Sequence, residues 1–263
     1  MPDNTVGMGA QDQAERARFE NEVCRIVEAG NQAGLMLRLL GSLAFQFHCP
    51  EFGGLQAQMG RAYTDIDFAA YVAQARGVSQ LMTGLGYREE REIFIATEGG
   101  RAIFENPDNR LHVDVFYDKL DFCHVIRWNG RLEVDSPTIP LAELLLEKMQ
   151  IVRINEKDVI DTIMLLLEHP LGDSDRETIH LGRVAKLCAD DWGLWRTANM
   201  NLDKVRRLAE AYPQLTAGQK VHVSGQVAAA LTRIQQEPKP LAWRVRDRVG
   251  DRVKWYKEVE EVK

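Results

Sequence analysis

The pattern of apolar residues changes at Pro137 and Pro140, and this change limits the possible folds more than any other feature. Before it, short runs of alternating apolar residues, separated by Gly- and Asn-containing turns, predict strands. After it, apolar residues recur at helical spacing. Strands followed by helices favour an α/β (α+β) chain. We predict a disordered N-terminus at 1–13, an α/β domain at 14–140 and an all-helical C-terminal domain at 141–263.

Hydrophobic periodicity also predicts the individual elements. In the first domain, helices are expected at 14–30 and 76–86, and a loop at 50–60. Strands are expected at 35–41, 62–71, 92–97, 101–105 and 110–117. Helices of the second domain are expected at 141–153, 156–168, 174–190, 202–211, 217–236 and 241–260.

Composition excludes several classes of protein. No apolar run approaches the roughly 18 residues of a membrane-spanning helix, and the N-terminus lacks the basic and apolar regions of a secretory signal. The four cysteines form no C-x-x-C pair, which gives no support to a zinc ribbon or a thioredoxin-type site. We therefore expect a cytoplasmic protein that makes no use of the membrane.

The charge is acidic overall but uneven along the chain. A net charge of −6 argues against a protein that coats nucleic acid nonspecifically, because such binding depends on neutralising phosphates. Residues 233–257 nevertheless contain eight Lys and Arg against three Asp and Glu, a local excess of five positive charges. This segment is either a solvated helix face or a basic surface that receives an RNA or a phosphorylated acceptor.

Three aspartates are the candidate metal ligands. Asp65 and Asp67 are two residues apart in one expected strand, so they point to the same face, and Asp114 alternates with apolar residues in a later strand. If these strands pair in one sheet, three carboxylates converge on its uncovered face. A divalent cation relieves their repulsion, and hard oxygen ligands favour Mg²⁺ or Mn²⁺.

The Asp-Ile-Asp pattern alone is more often the solvated face of a strand. Gly41 and Ser42 strengthen the functional interpretation because they follow an apolar strand at the start of a helix. Glycine at such a position lets backbone amides approach a phosphate closely, and the serine can cap the helix or hydrogen-bond a phosphate oxygen.

These residues lie in three short motifs: LLGSLAF (39–45), TDIDF (64–68) and HVDVF (112–116). Together they resemble the signature of the DNA polymerase β-like nucleotidyltransferase superfamily, over about residues 35–168. The resemblance implies a mixed β-sheet with helices on one face. It also implies that Gly41 and Ser42 bind a nucleoside triphosphate (NTP), and that Asp65, Asp67 and Asp114 bind two metal ions.

One feature departs from that family. Twenty-two residues separate Ser42 from Asp65, more than the family's usual gap. The inserted sequence HCPEFGGLQAQMGRAY, which contains Arg61 and Tyr63, is either a loop over the nucleotide or a sign of a weaker match.

Lys148 lies near the middle of an apolar helical stripe, where it must either extend to solvent or meet an anion. The surrounding sequence, PLAELLLEKMQIVRINEKDVIDTIMLL (140–166), resembles the lysine-bearing helix and following segment of the abortive-infection (AbiEii-type) toxin nucleotidyltransferases. That resemblance implies that Lys148 helps to bind the triphosphate and that Asp158 is needed for activity. Asp161 matches equally well, and Asn155 is positioned to cap the helix, which would explain Asp158 at its third position.

The sequence therefore predicts a metal-dependent nucleotidyltransferase that transfers a nucleoside monophosphate from an NTP and releases pyrophosphate. The acceptor hydroxyl is left open among a small molecule, an RNA 3′ end and a protein. The alternative is a non-catalytic nucleotide- or metal-binding module, or a toxin–antitoxin component with an antitoxin partner.

Overall fold

A computed structural model describes residues 10–59 and 63–259 of the chain, in two units. The first unit contains the described residues up to Lys119 together with 128–139. The second contains 120–127 and the described residues from Pro140 onward. The main division thus falls where the apolar pattern changes, and the segment 120–127 belongs to the second unit although it precedes that point.

The described part of the first unit contains five α-helices and a small sheet. The helices are α1 (Ala10–Gln32), α2 (Gly41–His48), α3 (Gly53–Gln58), α4 (Ala75–Gly84) and α5 (Arg91–Ala96). Four apolar residues of α1 at helical spacing are all buried: Phe19, Val23, Ile26 and Val27. Burial of that one face against the unit's core stabilises α1 far more than helix propensity does.

Five strands form a mixed sheet in the first unit. They are β1 (Arg38–Leu40), β2 (Ile66–Ala70), β3 (Arg88–Glu89), β4 (Arg101–Glu105) and β5 (His112–Tyr117). The order is β1-β2-β5-β4-β3; β2 and β5 are parallel, and the other neighbours are antiparallel. Alternate residues of the two central strands form the core, with Ile66, Phe68, Val113 and Val115 fully buried.

Three local predictions in this unit are wrong. The expected strand at 92–97 is the helix α5, which packs against β4 without any fully buried residue; Ile95 is 74% exposed, so the apolar run lacks the burial that favours a strand. The expected loop at 50–60 contains α3. Residues 10–13, expected to be disordered, already belong to α1, whose first turns hold the good helix formers Ala and Gln; residues 1–9 lie outside the described part.

The second unit is not all-helical as predicted. Within 141–263, the range predicted to be all-helical, the short strands β8 (Leu171–Gly172) and β9 (Ile179–His180) pair with each other. The strands β6 (Lys119–Asp121) and β7 (Val125–Arg127), which also pair, lie before that range. The helices of the second unit are α6 (Leu141–Met149), α7 (Glu156–Glu168), α8 (Leu181–Asp190), α9 (Trp192–Ala211), α10 (Ala217–Gln236) and α11 (Leu241–Val249). Of these, α10 packs against α7, α8 and α9.

Helix ends in the second unit follow capping residues that periodicity alone overlooked. The α9 helix begins ten residues before the expected start at 202, because the Asp191 side chain accepts the backbone N–H groups of Gly193 and Leu194. The α11 helix ends at Val249, before the expected 260, at a glycine whose φ is +60°. Within the described ranges, none of the helices combines the length and apolar character required to cross a bilayer.

Candidate metal and nucleotide site

Asp67 and Asp114 occupy neighbouring strands at the same level. The parallel strands β2 and β5 pair Asp67 with Asp114, between the pairs Ile66–Val113 and Phe68–Val115. Paired residues of neighbouring strands, about 4.8 Å apart, share a face of the sheet. The sheet therefore brings two of the three predicted carboxylates together, with buried apolar residues on its opposite side.

Asp65 lies just before β2 and two residues before Asp67. The Thr64 hydroxyl donates a hydrogen bond to Asp65 Oδ1 at 2.9 Å. The negative charge of Asp65 is one of the contributions that raise the pKa of Asp114. We call Asp65, Asp67 and Asp114 the aspartate cluster.

Gly41 lies directly against this cluster. It is the first residue of α2, directly after β1, and β1 pairs Leu40 with Asp67. Its φ is +71°, a left-handed conformation that costs an L side chain free energy, and an added Cβ would lie 3.2 Å from Asp67 Cγ and overlap Asp67 Oδ2. Both the backbone conformation and the approach of Asp67 therefore require glycine here.

Ser42, the second residue of α2, is only 6% exposed. The inserted segment contacts it, because Gln56 of α3 donates from Nε2 to the Ser42 carbonyl at 3.3 Å. Tyr63 in turn donates its hydroxyl to Gln56 Oε1 at 2.8 Å. The described part of the insertion is thus bound to the start of α2, while Arg61 lies outside the described residues.

Arg101 is a member of the site that sequence reasoning missed. Its guanidinium forms an ion pair with Asp114 Oδ2 and stacks over the Phe116 ring, 5.3 Å from the centroid. Antiparallel pairing of β4 with β5 places Arg101 beside Phe116, on the face that carries Asp114. In the strand RAIFE, Ala102 and Phe104 are buried, so alternation places Arg101 on the opposite face of the sheet. Its ion-pair partner Asp114 follows only from the order of the strands.

The electrostatics of Asp114 combine opposing effects. Burial raises its pKa above the ordinary value, and the charge and hydrogen bond of Arg101 lower it. The negative charge of Asp65 adds to the increase, and the net pKa shift is upward. Asp114 therefore binds a proton more readily than a solvated aspartate.

The aspartate cluster fits a divalent cation by its chemistry. Its donors are carboxylate oxygens on adjacent strand positions, the ligands that Mg²⁺ and Mn²⁺ prefer. Among residues 10–59 and 63–259, however, no three Asp, Glu, His or Cys side chains are already arranged around a common ion position. Asp114 faces Arg101 instead, so ion binding would require this carboxylate to turn or to be shared.

Lys148 and Asp158 belong to the second unit, in a cluster of their own. The Lys148 ammonium lies 3.2 Å from Asp158 Oδ1, 3.2 Å from Asp161 Oδ2 and 3.3 Å from Glu147 Oε1. All four side chains are buried. Lys148 therefore meets anions, one of the two outcomes expected for it, and these anions are carboxylates of α6 and α7.

The start of α7 explains the position of Asp158. The Asn155 side chain accepts the Asp158 N–H at 3.0 Å, so the expected cap at Asn155 is confirmed and Asp158 occupies the third helical position. Asp161, one turn further along, contacts the same ammonium and is fully buried. The structure thus includes both alternative aspartates in one ion-pair network.

Comparisons of the chain with models of protein families, with curated proteins and with solved structures gave no match.

Proposed function

We propose that the protein is a metal-dependent nucleotidyltransferase, which transfers a nucleoside monophosphate from an NTP to a hydroxyl acceptor and releases pyrophosphate. One observation carries the proposal: parallel strands pair Asp67 with Asp114, Asp65 lies two residues before Asp67, and Gly41 contacts Asp67. The mixed sheet and the order of the three motifs agree with the resemblance to DNA polymerase β-like nucleotidyltransferases.

In this proposal the start of α2 receives the triphosphate. Gly41 has no side chain to block the approach, and the first backbone N–H groups of a helix attract phosphate oxygens. Mg²⁺ bound at the aspartate cluster would stabilise the triphosphate charge and lower the pKa of the acceptor hydroxyl. Asp114 is placed to accept the hydroxyl proton. The chain otherwise contributes positioning and fixed charge.

We propose a structural role for Lys148 and Asp158 in place of direct binding of the triphosphate. The resemblance implies that Lys148 binds the triphosphate, but its ammonium contacts three buried carboxylates. Binding a phosphate directly would break ion pairs that are expensive to leave unmatched. We therefore assign Lys148, with Asp158 and Asp161, to holding α6 against α7.

A transfer assay tests the proposal. Each of the four labelled NTPs is incubated with the protein, Mg²⁺ and a cell extract that supplies acceptors, and labelled product and pyrophosphate are measured. We expect Asp65→Asn and Asp67→Asn to reduce both signals to background, while Asp108→Asn, which removes an exposed carboxylate of the same unit, leaves them intact. Undiminished transfer by the Asp65/Asp67 double variant would show that the assignment is wrong.

A second candidate function is a binding module that holds a nucleotide without turnover, such as the regulatory half of a toxin–antitoxin pair. The ion pair between Arg101 and Asp114 favours it, because a protein cation contacts a carboxylate expected to face a metal. Saturable nucleotide binding without pyrophosphate release in any extract would support this candidate over the enzyme.

A further inference from the structure

Four of the five tryptophans lie in the second unit, and they contact one another. Ring centroids are 5.8 Å apart for Trp192 and Trp195, 5.0 Å for Trp195 and Trp243, and 6.3 Å for Trp192 and Trp255. Tyr256 extends the group, 5.4 Å from Trp255. Trp192 and Trp243 are buried, whereas Trp255 and Tyr256 are partly exposed. We call these five residues the aromatic cluster.

A cavity of about 690 Å³ lies beside the aromatic cluster. Its walls include Trp192, Trp243, Trp255 and Tyr256. The volume is within the range of sites that bind small molecules, roughly 300–1,000 Å³. Walls of aromatic rings favour a planar ligand that stacks on the exposed rings.

Three positively charged side chains line the cavity and favour an anionic ligand. Lys254 and Lys257 line it with side chains 51% and 61% exposed, and their ion pairs with Glu258 and Asp121 are at the surface, where such pairs exchange at little cost. Arg246 also lines it, stacked over Trp192 at 4.2 Å. An anion in this cavity would meet the two exposed lysines.

The acidic residues of the lining are already used within the fold. Asp191 caps α9, accepting the Gly193 and Leu194 N–H groups at 2.7 and 3.1 Å. Asp190 forms an ion pair with Lys186 at 2.8 Å. Both carboxylates keep their negative charge, so Arg246, Lys254 and Lys257 leave the lining with an excess of one positive charge.

His124 adds a neutral hydrogen-bonding group to the cavity wall. The ring is 5% exposed, and its Nε2 lies 2.9 Å from the Thr197 hydroxyl. Its Nδ1 is 4.0 Å from the nearest Asp191 oxygen, beyond hydrogen-bond distance. Burial lowers the pKa of His124, so the imidazole is neutral at pH 7 and offers a hydrogen bond without charge.

We infer that this cavity binds a nucleotide unit, with its base stacked on Trp255 and Tyr256 and its phosphate at Lys254 and Lys257. The site is distinct from the NTP site proposed at Gly41 and the aspartate cluster, and it stands whether or not that cluster is catalytic. A free mononucleotide and the end of a single-stranded nucleic acid share this chemistry.

Intrinsic tryptophan fluorescence of the full-length protein tests the inference. Titration with AMP in the presence of EDTA, which prevents metal-dependent binding at the aspartate cluster, should give saturable quenching. Adenosine, which lacks the phosphate, and ribose 5-phosphate, which lacks the base, should each bind at least about tenfold more weakly. If octa-adenylate binds more tightly than AMP, the ligand of the cavity is the end of a single-stranded nucleic acid. If the two bind equally, the ligand is a free nucleotide.

Substitutions at the cavity test whether the fluorescence quenching reports binding of AMP there. Tyr256→Leu and Lys254→Glu should each weaken AMP binding by about tenfold or more. Lys157→Glu, a charge reversal at an exposed lysine of α7, should leave it unchanged, as should Asp67→Asn. Circular dichroism and urea unfolding confirm that each variant folds. Absence of saturable quenching at millimolar AMP, or wild-type affinity in both cavity variants, would overturn the inference.

Discussion

Gly41 is the residue at which backbone conformation and site geometry are most closely connected. Alanine there must adopt a φ of +71° and also displace the Asp67 carboxylate. We expect Gly41→Ala to lower the free energy of unfolding by about 1–3 kcal/mol, measured by urea denaturation. Gly84→Ala is the matched control, because an added Cβ at Gly84 meets nothing within 4 Å. Equal effects of the two substitutions would contradict the proposed contact.

Asp114 gives a prediction about pH. Burial is the largest contribution to the rise in its pKa above the ordinary 3.8, so the folded state binds the proton more tightly than the unfolded chain does. Its contribution to stability is therefore fully present below pH 3.8 and is lost as the pH rises through the raised pKa. In urea unfolding across this range, wild type should lose stability relative to Asp114→Asn as the pH increases. A constant difference, or one of opposite sign, would be inconsistent with the upward shift.

At the scale of elements, Lys148 connects α6 to α7. Replacing it with methionine leaves Glu147, Asp158 and Asp161 buried without the ammonium that they share. We expect Lys148→Met to cost about 3–5 kcal/mol in urea unfolding, because removing one partner leaves uncompensated buried charge. Lys157→Met, at an exposed position of α7, should change stability little. Unchanged stability with loss of nucleotide transfer would instead support direct binding of the triphosphate.

Elements with a strong local signal were predictable from the sequence. The α7 helix and β4 match their expected bounds, since amphipathic spacing, the Asn155 cap and strict alternation all act over a few residues. The run at 92–97 looked equally strand-like, but it forms α5, which packs against β4 without any fully buried residue. Local pattern indicates what a segment is able to form, and packing decides between the options.

Pairings between distant segments were not predictable in the same way. Alternation along each strand predicted the faces of Asp67 and Asp114. Whether the two residues meet depends on strand pairing, and the parallel pairing of β2 with β5 brings them together. The ion pair of Arg101 with Asp114 requires the strand order, which periodicity does not contain. Assignment of 120–127 to the second unit likewise depends on tertiary contacts alone.

At the scale of the whole molecule, the two proposed sites differ in charge. The segment 233–257 carries an excess of five positive charges in a chain of net charge −6, so the remaining residues carry −11. Negative charge suits a site that binds its anionic substrate together with a cation, as at the aspartate cluster. The basic segment contributes Arg246, Lys254 and Lys257 to the cavity in the second unit, where no metal is required.

Manganese binding tests the central claim most directly, because it reports on the aspartate cluster whatever the acceptor is. Free Mn²⁺ would be followed by electron paramagnetic resonance while it is titrated into protein that holds a non-hydrolysable NTP. We predict saturable binding by wild type and by the exposed-site control Asp108→Asn, and loss of that binding in Asp67→Asn and Asp114→Asn. Equal binding by all four proteins, or none by the wild type, would contradict a divalent-metal site at these aspartates.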